Sequence, residues 1–291
     1  MSKYIKFSII FFLIISLIIF SISIFKLSTS KKNSKLELHF IDVNQGDCTL
    51  IITPNKSTIL IDSGTENQSK KILNYLNIHN IKTIDLLIGT HSDSDHIGSM
   101  DKIIKNLKIK NFTLPNYHDK NKDFMEIIDI CRKKNLNIIK AHKNMSFSFD
   151  NEISIKFLNP DNNESNSNNS SIVSFLNFKN NSFLFLGDID SNEELDLLKK
   201  YPNLNADMLK IAHHGSKYSF NDYFYNYINF KIAIISCGYE NKYNHPHQIV
   251  LNHLNYLNKY ILRTDLQGNI VLKSDGFKIY SNKKPFNFVA P

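Results

Sequence analysis

Short apolar runs with strand periodicity dominate the chain beyond residue 35. Leu36, Leu38 and Phe40 share one face, with Glu37 and His39 on the other, the period-two signature of a strand. Apolar runs at 48–53 and 58–62 are separated by Pro54-Asn55-Lys56-Ser57, which predicts a hairpin. Ile72, Leu73 and Leu76 carry helical spacing over 68–78, and 84–90 reads as a buried strand followed, after Ile97-Gly98, by a helix. Phe124, Ile127, Ile128 and Cys131 fall at i, i+3, i+4 and i+7, so 122–135 is an amphipathic helix. Strands are expected at 137–141, 146–149 and 152–158, then an Asn- and Ser-rich loop at 159–170. Strands at 172–178 and 182–187 flank the turn dipeptide Asn180-Asn181. The last third alternates helix 191–200, strand 207–212, helix 221–228, strand 231–236 and helix 247–258, before short strands. Strand clusters interleaved with helices predict an α/β fold of two sheets covered by helices.

The N-terminus follows a different pattern. Residues 8–25 form an uncharged, mostly apolar run between Lys6 and Lys26. About 20 apolar residues cross a bilayer core, and no Ala-x-Ala-like cleavage site follows. The run therefore predicts one uncleaved transmembrane helix. Lys3 and Lys6 favour one orientation, and Lys31, Lys32 and Lys35 the other. The expectation is an anchor and linker over 1–35, with the domain at 36–291 outside the cytoplasm.

Composition adds a charge argument. The 291 residues are 42% hydrophobic and 21% charged, enough for a sizeable core, and carry a net charge of +8. That balance favours an anionic partner such as nucleic acid or phosphate esters, although Lys and Asn richness is an equally ready compositional account. Cys48, Cys131 and Cys237 are isolated and lie in or beside apolar runs. They indicate neither a disulfide framework nor a thiolate zinc site.

The chemistry concentrates in His91-Ser92-Asp93-Ser94-Asp95-His96, four metal-competent side chains at the end of a predicted strand. Imidazole and carboxylate suit Zn, Mn and Fe. The density argues for two ions, which at about 3.5–4 Å apart share a bridging water and clamp both oxygens of a displacement. Asp62, Asp188 and the pair His213-His214 likewise end apolar runs, each beside a glycine.

These stretches, with His39-Phe40-Ile41-Asp42-Val43-Asn44-Gln45-Gly46-Asp47, Leu186-Gly187-Asp188, His213-His214-Gly215-Ser216 and Asn241-Lys242-Tyr243-Asn244-His245-Pro246, resemble the metallo-β-lactamase superfamily. The likeness is specific to the ComEC-like group, the hydrolase domain of the DNA-uptake protein of competent bacteria. It covers nearly all of 36–291. The resemblance implies an αββα four-layer sandwich holding two divalent ions, Zn or Mn. It implies His91 and Asp93 on the first ion, Asp95 and His96 on the second, and Asp188 bridging. His213 or His214 completes the ligand set of the second ion, a choice left open. Asp62 and Asp47 stand behind the ligands. Asp95 doubles as a catalytic residue, and His245 assists the leaving group near the substrate.

Two departures matter. Asp93 stands where the superfamily commonly has His, which hardens the site and makes Mn²⁺ as suitable as Zn²⁺. The usual further His before Asp188 is missing, since loop 161–171 offers only Asn, Asp, Glu and Ser, so the first ion is expected to bind weakly. Asn44 replaces a typical Gly, and Ser99 a second one. The implied function is a phosphodiesterase or nuclease acting on an anionic substrate such as DNA. The alternatives are a surface esterase on cell-wall phosphodiesters and a catalytically silent membrane-tethered binding module. His79, His118, His142 and His253 are expected on the surface or on helices, and His247 at the start of a helix. His39 faces either core or site. Lys210 and Lys217 are either phosphate contacts or, by default, solvated.

Overall fold

The computed structural model describes residues 12–21, 35–116, 121–161 and 166–285. The chain divides into two compact units, Met1–Lys35 and Leu36–Pro291. In the first, residues 12–21 are helical; the rest of the expected span 8–25 lies outside the described residues. No described helix is long and apolar enough to cross a membrane.

The second unit is built on two sheets. Its strands are β1 (Leu36–Phe40), β2 (Thr49–Ile52), β3 (Thr58–Ile61), β4 (Thr83–Ile88), β5 (Lys108–Leu114), β6 (Ile138–Lys140), β7 (Ser146–Asp150), β8 (Ile153–Phe157), β9 (Ser174–Phe178), β10 (Asn181–Phe185), β11 (Met208–Lys210), β12 (Ile232–Ile235), β13 (Tyr260–Arg263), β14 (Ile270–Ser274) and β15 (Ile279–Ser281). One sheet runs β15-β14-β1-β2-β3-β4-β5-β6 and the other β13-β12-β11-β10-β9-β8-β7. β3 to β6 are parallel neighbours, as are β10 to β13.

Alternation within single strands assigns the layers. Ile59, Ile61, Leu86 and Ile88 of the first sheet share one apolar cluster with Phe183, Phe185, Met208 and Ile234 of the second. That cluster is the seam between sheets. Leu60, Ile84 and Leu87 point the other way, onto Ile72, Leu76, Ile103, Ile104 and Ile127. Leu184, Leu209, Ala233 and Ile235 do the same on the second sheet, meeting Leu197, Phe224, Val250 and Leu254. Strands buried on both faces read as continuous apolar runs. The result is helix, sheet, sheet, helix, the four-layer α/β arrangement expected.

The covering helices are α1 (Ser69–Ile78), α2 (Ser94–Ile97), α3 (Met100–Asn106), α4 (Lys122–Lys134), α5 (Ser191–Lys200), α6 (Asp222–Tyr227), α7 (Gln248–Tyr256) and α8 (Thr264–Gln267). α4 opens on Asn121, whose side chain accepts from the Phe124 amide, and closes on Asn135 in the left-handed conformation. β5 had no counterpart in the sequence reading. Lys108, Lys110 and Asn111 break its apolar run, and it forms because β4 and β6 pair with it on both sides.

Candidate metal centre

The parallel strands of each sheet deliver their carboxyl-end loops to one edge, where sites in α/β proteins collect. Asp62 follows β3, His91 to His96 follow β4, Asp188 follows β10, His213 and His214 follow β11, and His245 lies beyond β12. Asp47 is in the loop leaving β1. The short α2 turns within four residues, so the His91 and His96 rings approach to 4.1 Å between centroids. The Ile172 amide donates to the Thr90 carbonyl at 2.9 Å, which ties the loop after β4 to the loop before β9.

Backbone strain concentrates here. Asp62, His213 and His214 adopt φ of 59°, 47° and 56°. Left-handed non-glycine residues cost about 1–3 kcal/mol each and persist where surroundings dictate them. Here the His213 amide donates to the Gly187 carbonyl at 3.0 Å, and the Asp62 amide to the Ile88 carbonyl at 2.8 Å. Asn44 has φ 57°, as an Asn in place of Gly tolerates. At Gly46, φ is 134° and a Cβ would collide with the Asp95 carbonyl.

One carboxylate oxygen is the hub. Asp188 Oδ2 lies 3.2 Å from His96 Nε2, 3.4 Å from His214 Nε2 and 3.7 Å from His213 Nε2. His214 Nε2 is also 3.4 Å from His96 Nε2 and 3.3 Å from Asp95 Oδ2. Donors about 2.1 Å from a tetrahedral ion stand about 3.4 Å from one another. His96, Asp188 and His214 therefore have the spacing of donors around one cation, with Asp95 standing beside His214. A second set lies alongside. His91 Nε2 is 3.7 Å from Asp93 Oδ2, and both His91 Nε2 and Asp188 Oδ1 are buried without a hydrogen-bond partner. Unpaired buried polar atoms are costly, and binding a cation would remove that cost from each of them. The residues fit a divalent metal.

Partners on the far ring nitrogens aim these imidazoles. His96 Nδ1 is 2.9 Å from Asp62 Oδ2, and Asp62 is fixed by the Thr90 amide and hydroxyl, each donating at 2.8 Å. His214 Nδ1 is 2.9 Å from the Ser236 carbonyl, and His213 Nδ1 is 3.1 Å from Ser219 Oγ. Each contact leaves Nε2 directed at Asp188. Asp47, His96, Asp188 and His214 also offer donor atoms within 4.8 Å of one another. Asp47, however, approaches His214 from the Nδ1 side at 3.3 Å and is bound by Lys210 Nζ at 2.8 Å. It braces the ring from behind.

Charge follows the geometry. Burial opposes charge on His96, yet Asp188 and Asp62 raise it well above the usual histidine value. His214 is raised in the same way by Asp188, Asp47 and Asp95. Burial would raise Asp188, but His96, His214 and His213 hold it well below the carboxylate range. Asp47 is likewise held down at about 2, chiefly by Lys210 against its burial. Burial, then the neighbouring His214 and His213, push His245 down to about 4. At neutral pH its ring is therefore unprotonated.

A family model described as Metallo-beta-lactamase superfamily matches residues 41–239. This chain belongs to the metallo-β-lactamase superfamily. Its curated relatives are ComEC-like competence proteins. ComE operon protein 3 of Bacillus subtilis (strain 168) is 31% identical over 256 residues, covering 82% of this chain and 33% of the relative. Competence protein ComA of Neisseria gonorrhoeae is 29% identical, covering 84% and 35%. The chain thus spans about a third of the length of these relatives. Among solved structures, the metallo-β-lactamase fold protein YhfI of Bacillus subtilis superposes with a TM-score of 0.52 at 12% identity, covering 82% of this chain and all of that one. That likeness shows the fold alone.

Sequence reasoning missed several residues of this superfamily site. Lys210, solvated by default on sequence grounds, is 2% exposed and bridges Asp47 to the Ile211 carbonyl. Ser167 donates to Asp93 at 2.7 Å, and Ser171 Oγ accepts from the Asp188 amide at 3.0 Å. Both serines come from the loop that lacks the further histidine; an isolated Ser carries no pattern that marks it. His39 belongs to the core side, with Nδ1 2.8 Å from the Tyr75 hydroxyl and its ring against His79. His247 caps α7, and its Nδ1 accepts from the Lys217 amide. His118 lies outside the described residues.

Proposed function

We propose that this metal-dependent hydrolase cleaves phosphodiester bonds of nucleic acid. Asp95, His96, Asp188 and His214 hold one divalent ion, and His91, Asp93, Asp188 and His213 a second. The observation that carries this is Asp188: Oδ2 faces three imidazole Nε2 atoms while Oδ1 is buried and unpaired. A carboxylate presented on both oxygens suits a pair of ions. Such ions, when bound, acidify water and stabilise charge developing on phosphoryl oxygens. The chain's own groups do the positioning. Asp62 and the Ser236 carbonyl fix the His96 and His214 tautomers. Asp95 stands at the mouth of the site, where it can orient a nucleophilic water, and neutral His245 beside His213 can hydrogen-bond the substrate.

Relatives named for competence and recombination support nucleic acid as substrate, as does the net charge of +8. The apolar run 8–25 supports membrane tethering with the domain outside the cytoplasm. The wall-ester alternative would seat a choline headgroup, where its substrate carries one, on Tyr218 or Tyr243, but Lys217 and Lys242 already stand 5.1 and 4.9 Å from those ring centres. A silent binding module gives no account of a buried carboxylate set against three imidazoles with its other oxygen unpaired.

The test is full-length protein in mild detergent, loaded with Mn²⁺ or Zn²⁺ and checked for metal by mass spectrometry. It is offered bis-p-nitrophenyl phosphate and single- and double-stranded DNA. Cleavage of DNA that Asp188→Asn abolishes supports the reading. A fully metallated protein that leaves every phosphodiester intact refutes it. Turnover of the small ester with DNA untouched transfers the assignment to the wall-ester reading.

A further inference from the structure

Aromatic rings form an unbroken row along one rim of the metal centre. Tyr243 stacks on His245 at 5.6 Å between centroids, with 22° between planes. His245 meets His247 at 5.0 Å, and His247 meets Tyr218 at 6.5 Å. His245 also lies 5.6 Å from His213 and 6.1 Å from His214, so the middle of the row borders the metal donors. The two end rings face solvent, Tyr218 at 69% exposure and Tyr243 at 48%. Each carries the ammonium of the lysine preceding it: Lys217 Nζ is 5.1 Å from the Tyr218 centroid, and Lys242 Nζ 4.9 Å from that of Tyr243. A cavity opens beside each end. One of about 520 Å³ is bordered by Gln45, Asp95, Tyr239 and Tyr243, and one of about 310 Å³ by Asp190, His213, Tyr218 and Ser219. Asp95 lines the first and His213 the second, so the metal donors stand between them.

We infer that one unpaired polynucleotide strand runs along this rim and crosses the metal centre, gripped on both sides. A base stacks on the face of Tyr243 opposite His245, displacing the Lys242 ammonium from the ring onto the adjoining phosphate, and another does the same at Tyr218 and Lys217. Ring faces accept any base, and flanking lysines follow the backbone, the pairing that single-strand binding surfaces use. Duplex bases are already stacked on their neighbours and offer no free face to an exposed tyrosine. A quaternary ammonium is disfavoured because each ring already carries a positive neighbour. With a cavity on either side of the donors, the strand needs no free end at the site. The assignment of cleavage along this track rests on the phosphodiesterase reading; the binding does not.

The test measures binding directly. A fluorescein-labelled phosphorothioate oligothymidylate of about 20 nucleotides, longer than one such site, is titrated onto the full Mn²⁺-loaded chain and followed by anisotropy. Tyr218→Ala and Tyr243→Ala each weaken binding about tenfold, and the Phe variants restore it. Lys217→Ala and Lys242→Ala each lower the salt slope by about 0.7. A closed circular single strand competes as well as a linear one of equal length, while duplex and phosphocholine compete at least about tenfold more weakly. Unchanged affinity in both alanine variants overturns the track. So does a circle that fails to compete, or duplex or phosphocholine that competes equally. Binding as described with no hydrolysis of unmodified single-stranded DNA by the same metallated chain sinks the phosphodiesterase reading alone, whereas hydrolysis of that DNA with unaltered affinities in the variants sinks the track alone.

Discussion

Replacing Lys210 with Met isolates the buried support behind His214. Lys210 is almost wholly enclosed, and its Nζ bonds Asp47 Oδ2 at 2.8 Å. Methionine keeps the stem's volume and removes the charge. Asp47 is then a buried carboxylate whose chief counter-charge is gone, a change that costs about 3–5 kcal/mol. An independent figure comes from Asp47 itself, held at about 2 against the usual 3.8. At about 1.4 kcal/mol per pH unit, that displacement is worth about 2 kcal/mol. The sign is that of a depressed carboxylate: the stabilisation is present above pH about 4 and is lost as pH falls towards 2. For a domain of this size, about 3 kcal/mol lowers Tm by about 6–12 °C. Urea unfolding of the metal-free chain at pH 7 measures the loss. The double variant Asp47→Asn/Lys210→Met leaves no unpaired charge and should recover more than half of it. If the single variant loses less than about 1 kcal/mol, or the double variant is no better, the buried-pair argument is wrong.

Three further outcomes follow from the same geometry. Asp62→Asn removes the carboxylate that fixes the His96 tautomer, so metal affinity should fall about 10–100-fold by competition with a chromophoric chelator, with little change in fold. Gly46→Ala places a methyl against the Asp95 carbonyl, and bound metal per chain should drop even where circular dichroism stays native; a fully metallated, fully active variant would contradict the packing. Burial raises the Glu194 carboxyl well above its usual range, so its protonated form contributes stability below pH about 4.5 that is lost as pH rises through the raised value. Glu194→Gln should therefore match the parent near pH 4 and melt higher near pH 8, and a difference in Tm that does not change with pH would exclude this.

Much of the fold was legible because strand and helix periods are local. Ile59, Leu60 and Ile61 alternate between two clusters on either side of one sheet, and that alternation is written in consecutive residues. β5 was not legible, since its polar positions at 108, 110 and 111 conceal a strand that its neighbours impose.

The clustering of residue types was readable too: His91, Asp93, Asp95, His96, Asp188, His213 and His214 all lie in segments that follow strands, and the fold brings His96, Asp188 and His214 together. Which atom of each faces the centre was not. His213 and His214 are adjacent, identical and both left-handed, yet one contacts Ser219 and the other the Ser236 carbonyl and Asp47, from separate loops. Lys210 looks like any surface lysine until β11 takes it inside, where Asp47 meets it from the other sheet. Sequence thus determined the layers and the kinds of ligand, because both depend on residues a few positions apart. Ring orientation, ion pairing and burial were decided only when separate loops met, because His96 is aimed by Asp62 from the loop after β3, His214 by the Ser236 carbonyl from the loop after β12, and Lys210 is paired by Asp47 from the other sheet.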